Sequence, residues 1–301
     1  PALLGARRAA DARGDAEAAA RHHAALLAHD ATAAGLEQAE RLLAQGRPEE
    51  TLEVLAGLTG PLPPRGAWLR AEAQVAGGRA MDAQASLNAL RRDQVADADA
   101  LAALEVRITA ATLDQAPQAD ELQQRWHALP QRLRLAAPVA SAFAQRAAAL
   151  GMEDAGAHAV ADALEANWDE SLAALYGRLP AGRDGQRLAR AEAWLAAHAA
   201  SPALLVALGQ LCLAQRLWGK AEDFLHRALA QGAGAEAWEL LGHAWTAQND
   251  SERAMIAYAN ALRVAREEAP LALTGRSLRD QIADEAVAEL RNEHGIPLLP
   301  P

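Results

Sequence analysis

Histidine and cysteine bind metals more readily than most residue types, so their spacing is the first test for chemistry in this sequence. The chain contains nine histidines and one cysteine, Cys212. His22 and His23 are adjacent, which points their rings apart on a helix, and no two histidines stand four residues apart. Cys212 has no partner at metal-ligand spacing. These residues therefore predict no metal site, and we expect Cys212 to be buried as a small apolar side chain.

The sequence also lacks the motifs of common enzyme classes. It has no serine or cysteine nucleophile with a placed histidine, no glycine-rich loop joining a strand to a helix, no H-E-x-x-H and no C-x-x-C. The glycines of AGRDGQRLAR, residues 181–190, follow a divergent helical pair and do not indicate a phosphate-binding loop. We therefore expect no catalytic residues, and a protein that is not an enzyme.

Composition indicates that helices must position whatever site exists. The 301 residues are 51% hydrophobic but only 4% aromatic, so the core must consist mainly of Ala and Leu, which favour closely packed helices. No strand-length alternation and no apolar run of about 18 residues occurs. The net charge is −10, and the basic residues are scattered, which argues against nucleic acid and against direct binding to an anionic bilayer. The expected fold class is all-α.

Two successive stretches, residues 203–229 and 236–262, repeat one pattern of small and large apolar residues at an offset of 33. The matched positions are Leu205 and Trp238, Leu208 and Leu241, Gly209 and Gly242, Cys212 and Trp245, Ala221 and Ala254, Leu225 and Tyr258, and Ala228 and Ala261. They follow the tetratricopeptide pattern, in which small residues lie where two helices touch and large residues fill the space between hairpins. This stretch therefore predicts tandem helical hairpins.

A weaker copy of the same rhythm occupies the beginning of the chain. Gly14, Gly46 and Gly78 are 32 residues apart and are expected to end first helices in left-handed turns. Pro48 fits the first turn of a second helix, where a missing N–H costs little. Three hairpins are therefore expected before residue 95.

Together these patterns predict a right-handed tetratricopeptide superhelix, an α-solenoid, of about seven hairpins over residues 1–264. It divides into regular hairpins over 1–97, a degenerate pair over 98–135, divergent hairpins over 136–200 and two well-matched repeats over 201–264. Residues 265–301 are predicted to contain a C-terminal capping helix and a tail. Ser277 and Asp280 form a capping box before the apolar stripe Leu278, Ile282, Val287 and Leu290.

Three phrases resemble one particular family. RWHALPQRLR (125–134), LEANWDESLAALYGRLP (164–180) and RAEAWLAAHAASPALLVALGQLCLAQRLWGKAEDFL (190–225) are similar to HemY-type proteins, tetratricopeptide proteins of proteobacterial haem and porphyrin metabolism. The resemblance is closest from about 120 to 262 and elsewhere is mainly the repeat rhythm. The residues that match the LYGRLP and LWGKA phrases include Tyr176, Gly177, Leu179, Leu217, Trp218, Gly219, Lys220 and Ala221.

The resemblance implies a non-catalytic scaffold that brings late haem-pathway enzymes such as ferrochelatase together at the cytoplasmic face of the inner membrane. Family members are normally held there by two N-terminal helices, which these residues do not contain, so this chain alone is expected to be soluble. We expect no cofactor. The alternatives are a peptide-binding module with an unrelated client, or a haem or porphyrin carrier in which His243 and His226 are the ligands to probe.

The first helix of each hairpin is expected to line a groove for partners. Counting from Gly242 as the eighth repeat position places Glu236, Glu239 and His243 on that face, with Gln210 in the preceding repeat. The equivalent residues near the N-terminus include Leu36, Glu40, Trp68 and Glu72.

Acidic and apolar residues in a groove would suit a basic, amphipathic partner segment, although the same residues also fit an ordinary solvated helix surface. Trp238 and Trp245 fall on packing positions of the repeat and are expected in the core. Trp68 and Trp126 do not, and are predicted to contact partners.

Overall fold

The computed structural model describes residues 2–93, 96–182 and 185–273, and every regular element in these ranges is a helix. The seventeen helices are α1 (Ala2–Ala12), α2 (Ala16–His29), α3 (Ala31–Ala44), α4 (Pro48–Ala56), α5 (Pro64–Ala76), α6 (Ala80–Arg92), α7 (Ala98–Asp114), α8 (Ala119–Ala128), α9 (Gln131–Arg134), α10 (Ala137–Ala149), α11 (Glu153–Ala166), α12 (Glu170–Arg178), α13 (Arg187–Trp194), α14 (Pro202–Ala214), α15 (Trp218–Ala230), α16 (Ala235–Ala247) and α17 (Ser251–Ala265). The contacts divide the chain into two compact units, Pro1–Pro117 and Gln118–Pro301. The all-α prediction is confirmed.

Short polar side chains fix where several helices begin. At each of these starts, a carboxylate or hydroxyl oxygen accepts a hydrogen bond from the backbone N–H three residues later, at 2.7 to 3.1 Å. The capping residues are Asp15, Asp30, Asp97, Asp169, Ser201 and Asp250. Each cap satisfies an N–H that the helix cannot pair internally, which stabilises it by about 1 kcal/mol.

The turns within hairpins have left-handed backbone where the sequence placed glycine. Gly14, Gly46 and Gly78 have φ of 72°, 70° and 75°, and Pro48 is the first residue of α4, as predicted. At the corresponding turn after α14, Arg216 has φ of 59°, and after α16, Asn249 has φ of 62°. A side chain with a Cβ is strained in this conformation, so Arg216 retains a cost that the early repeats avoid.

In unit 1, α1 with α2, α3 with α4, and α5 with α6 form hairpins, and α7 packs against α5 and α6. The core contains Leu55, Leu69 and Leu87, with Leu104 and Ile108 from α7. The guanidinium of Arg7 on α1 forms a buried ion pair with Glu37 on α3, so the first hairpin is held to the second by charge as well as by apolar contact.

In unit 2, α10 with α11, α14 with α15, and α16 with α17 form hairpins, and α12 packs against α14. Glycine permits close helix contacts: a Cβ on Gly209 would lie 2.6 Å from Leu225, and a Cβ on Gly242 would lie 2.5 Å from the Tyr258 ring. These pairs are the predicted small and large positions of the repeat. The tetratricopeptide-like register of residues 203–262 is therefore confirmed.

Residues 98–135 do not form the degenerate pair predicted from sequence. Helix α7 packs on α5 and α6 in unit 1, whereas α8 and α9 pack on α10 in unit 2, and the division between the units follows Pro117. Proline cannot continue a helix, so α7 ends before it and the chain restarts at Ala119 with a short helix. The segment therefore contributes to both units.

After α17 the chain turns back along that helix. The side chain of the fully buried Asn260 donates to the Leu271 carbonyl at 2.9 Å and accepts from the Leu271 N–H at 2.6 Å. The predicted capping box and stripe at 277–290 lie outside the described residues. Among the helices described, none combines the length and apolar character that crossing a bilayer requires.

Candidate protein-interaction surface

The first helices of successive hairpins in unit 2 are neighbours, because α14 packs against both α12 and α16. Five polar residues from these helices form what we call the unit 2 surface: Arg178, Gln210, Glu236, Glu239 and His243. Glu236, Glu239 and His243 stand three and four residues apart along α16 and therefore share one face of it. The structure thus brings four of the predicted groove residues together and adds Arg178, which the sequence analysis did not select.

Glu236 is the best-connected residue of the unit 2 surface. Nε of Arg178 donates to Glu236 Oε1 at 2.8 Å, a second Arg178 nitrogen pairs with Oε2, and Nε2 of Gln210 donates to Oε1 at 3.0 Å. The Arg178 guanidinium is the main reason that the pKa of Glu236 lies below its ordinary value of 4.5. Glu236 is therefore a paired carboxylate, and less of its charge is available to a basic partner than the sequence alone suggests.

Glu239 and His243 differ from Glu236 because both are exposed. Within the described ranges Glu239 forms no ion pair, so its charge is available to a partner. The His243 ring meets the Tyr258 ring edge to face, with centroids 5.8 Å apart, which orients the imidazole on the surface. The unit 2 surface therefore combines a neutralised centre with a free carboxylate and an oriented imidazole.

The predicted acids of unit 1 are paired in the same way. Arg65 on α5 donates to Glu40 on α3 at 2.7 Å, and Arg107 on α7 donates to Glu72 on α5 at 2.8 Å. These four residues border an open cleft of about 350 Å³ that Leu69 also lines. Each carboxylate therefore has an arginine partner from a neighbouring first helix, a pairing that the repeat spacing did not predict.

Leu36 and Trp68 pack mainly against the interior of unit 1. Leu36 is half-buried and packs against the cluster around Leu55, while Trp68 is 8% exposed and packs with Leu87 and Ile108. The prediction that Trp68 contacts partners is therefore wrong. The sequence does indicate this burial, because Trp68 follows Leu36 by 32 residues, which is the repeat length in this part of the chain.

The remaining tryptophans and the cysteine agree with their predicted places. Trp238 and Trp245 are buried in the unit 2 core, and Cys212 is 0% exposed. Burial raises the pKa of the Cys212 thiol to about 11, so this residue serves as packing. Trp126 is half-buried and stacks on Phe143, with ring centroids 4.0 Å apart, and its role as a contact residue stays a prediction.

Of the two histidines considered as haem ligands, His226 is buried and His243 is exposed. His226 is 6% exposed and lies 5.9 Å from the Trp245 ring, so an iron could not reach it without opening the core, and its selection as a ligand is wrong. His243 is exposed and shares a face of α16 with Glu239, and its role as a haem ligand stays a prediction.

No protein-family model matches this chain, and no curated protein matches it. Among solved structures, the chain is similar to one described as the crystal structure of the APC/C hetero-tetramer Cut9–Hcn1, at 13% identity and a TM-score of 0.36. That similarity covers 87% of this chain and 59% of the other. A likeness of this size does not establish a shared fold, so the assignment rests on the hairpins and glycine contacts described above. On that evidence the chain is an all-helical protein built of tetratricopeptide-like hairpins.

Proposed function

We propose that this chain is a non-catalytic scaffold that binds proteins on the unit 2 surface. The observation that carries the proposal is the row of hydrogen bonds joining Arg178, Glu236 and Gln210 across three first helices, with Glu239 and His243 beside it. Polar groups held by helices lose little freedom on binding, which favours specific association. The repeat architecture supports this proposal, because stacked hairpins offer long surfaces to partners.

The pairing of charges defines the partner this surface suits. A uniformly basic segment would meet only Glu239 as a free carboxylate, since Arg178 already occupies Glu236. A segment of mixed charge fits better, with a cation beside Glu239 and an acceptor for the exposed N–H groups of Arg178. Charges arranged in this way determine specificity and association rate more than affinity.

The resemblance of residues 120–262 to HemY-type proteins supplies the narrower form of the proposal. In this form the clients are enzymes of late haem synthesis, such as ferrochelatase, and the scaffold works at the cytoplasmic face of the inner membrane. Its support is the three sequence phrases alone. A surface that binds an unrelated client by the same residues is the alternative.

The test is capture of partners by matched charge variants. Immobilised wild-type chain, Glu239→Lys and Asp223→Lys are exposed to detergent-solubilised proteobacterial lysate, and retained proteins are identified by mass spectrometry. Both substitutions make the same charge change at an exposed residue, but Asp223 lies on the second helix α15.

Clients of the unit 2 surface should be retained by wild type and Asp223→Lys and lost from Glu239→Lys. Identical sets from all three chains would refute the proposed surface. The narrower proposal then requires that purified ferrochelatase, or another haem-pathway enzyme, binds with the same dependence on Glu239. Loss of only unrelated proteins would favour the alternative client.

A further inference from the structure

An open cleft of about 460 Å³ lies within unit 2, bordered by α8, α9, α10 and α11. Its origin is the length of α9, which has four residues, whereas the second helices α11 and α15 have 14 and 13. Helix α9 is one turn long and packs on α10, and residues of α9 and α11 both line the cleft, so part of α11 remains accessible beside the short helix.

Part of the cleft lining is apolar. Trp126 stacks on Phe143 at an interplanar angle of 19°, and both rings line the cleft. Along α11, Ala155, Ala159 and Ala166 recur at steps of four and seven residues and line the cleft with small side chains. This surface can accept a bulky side chain against the Trp126 ring.

The polar border carries one uncompensated cation. Arg134 lines the cleft, its Nε is buried without a hydrogen-bond partner, and it forms no ion pair within the described ranges. The carboxylates that also line the cleft are already engaged, because Arg190 on α13 donates to Glu165 at 2.8 Å and to Asp162 at 3.1 Å. Because the Arg134 guanidinium has no carboxylate partner among the residues described, a client carboxylate that enters the cleft can pair with it in a charge-assisted contact.

We propose that this cleft binds an acidic side chain of a client protein together with a neighbouring aromatic or aliphatic side chain. The carboxylate pairs with Arg134, and the apolar group lies against Trp126 and the alanines of α11. The inference rests on the proposed scaffold function, because the occupant is a client segment, but it assigns a second contact that does not use the unit 2 surface.

The experiment selects short peptides from a random displayed library with capped ends, using the full chain as bait. Binding of the selected peptides is then measured by fluorescence anisotropy to wild type, Arg134→Gln, Arg132→Gln and Glu239→Lys. Arg132 is the matched control, since it lies on the same helix, is exposed and does not line the cleft. Circular dichroism verifies that each variant remains folded.

We expect selected peptides to share an acidic residue close to a Trp, Phe or Leu. Arg134→Gln should weaken them roughly tenfold or more, as loss of a charge-assisted hydrogen bond implies, while Arg132→Gln should leave their affinity unchanged. Replacing the peptide's acidic residue by its amide should weaken binding to wild type and have little further effect on Arg134→Gln.

Peptides that bind wild type and Arg134→Gln equally would overturn the cleft proposal. If those peptides are instead lost from Glu239→Lys, the scaffold proposal stands without the cleft. If no peptide is enriched, the cleft proposal fails, and the scaffold proposal is decided by the lysate comparison with Asp223→Lys.

Discussion

Replacing Gly242 by alanine tests the helix contact on which the repeat register depends. An added Cβ would lie 2.5 Å from Cε1 of Tyr258 and 2.7 Å from Cδ1 and Cζ. Carbon atoms pack at about 3.5 to 4.0 Å, so the ring would have to move by about 1 Å. The Tyr258 hydroxyl lies 3.2 Å from Thr246 Oγ1 and the ring contacts His243, so this movement would disturb both partners.

Two opposing effects set the size of the change in stability. Alanine in place of glycine inside a helix normally stabilises by about 0.5 to 1 kcal/mol, because it restricts the unfolded chain. Overpacking a filled contact costs about 1 to 3 kcal/mol. We therefore expect Gly242→Ala to lower the free energy of unfolding by about 1 kcal/mol or more, and Gly242→Leu to lower it further.

The decisive background is Tyr258→Ala, which removes the obstructing ring. In that background Gly242→Ala should become stabilising, by about 0.5 to 1 kcal/mol, because only the helix-propensity gain remains. Gly219→Ala is the control, since a Cβ at Gly219 of α15 meets nothing within 4 Å and should also stabilise. Urea unfolding followed by far-UV circular dichroism measures wild type and all five variants: Gly242→Ala, Gly242→Leu, Tyr258→Ala, the double variant and Gly219→Ala. If Gly242→Ala stabilises the wild-type background, or destabilises both backgrounds equally, the inferred contact is wrong.

Three further outcomes follow from named residues. Arg216→Gly should stabilise the fold by about 0.5 to 1 kcal/mol, because glycine relieves the strain of the left-handed turn, whereas Gln215→Gly next to it should not. Thermal unfolding compares the two variants, and equal shifts in melting temperature would argue against strain at Arg216. Cys212 should react with a thiol reagent at about pH 8 only after urea unfolds the chain, because the thiol is buried and its native pKa is about 11. Rapid reaction of the native protein would contradict the place of Cys212 in the core. The pKa of Glu236 is lowered by Arg178, so the carboxylate should stabilise the fold above its ordinary value of 4.5 and lose that effect as pH falls through the lower native pKa. Both side chains are partly exposed, so Glu236→Gln should lower the free energy of unfolding by at most about 1 kcal/mol at neutral pH and should not change it in acid, as measured by urea unfolding. A loss of stability that persists in acid would show that the ion pair is not its cause.

The features that could be predicted from sequence are those set by nearby residues. Gly242 and Tyr258 belong to one hairpin, so their contact follows from the spacing of a single repeat. The turn at Gly46 follows from one residue type, because glycine favours the left-handed conformation found there. Even the burial of Trp68, which the sequence analysis missed, could have been inferred from its 32-residue step after Leu36.

The features that could not be predicted depend on residues far apart in the chain. Arg178 and Glu236 are 58 residues apart, and Arg178 lies in a divergent segment that no repeat count aligns with α16. The short α9 follows from the local sequence near Pro130, but the cleft it leaves depends on how α8 and α10 pack. Charge pairing and surface shape therefore required the packed structure.

The bond between Arg178 and Glu236 has a consequence for how this part of the chain unfolds. In an ideal repeat array each hairpin interacts only with the adjacent ones, so the array behaves as a one-dimensional chain with nearest-neighbour coupling. Arg178 on α12 reaches past α14 to Glu236 on α16, which adds a next-nearest-neighbour coupling. Local opening at α16 therefore weakens α12 as well as α14, and the stretch from α12 to α16 acts as one cooperative unit whose protection against hydrogen exchange rises and falls together.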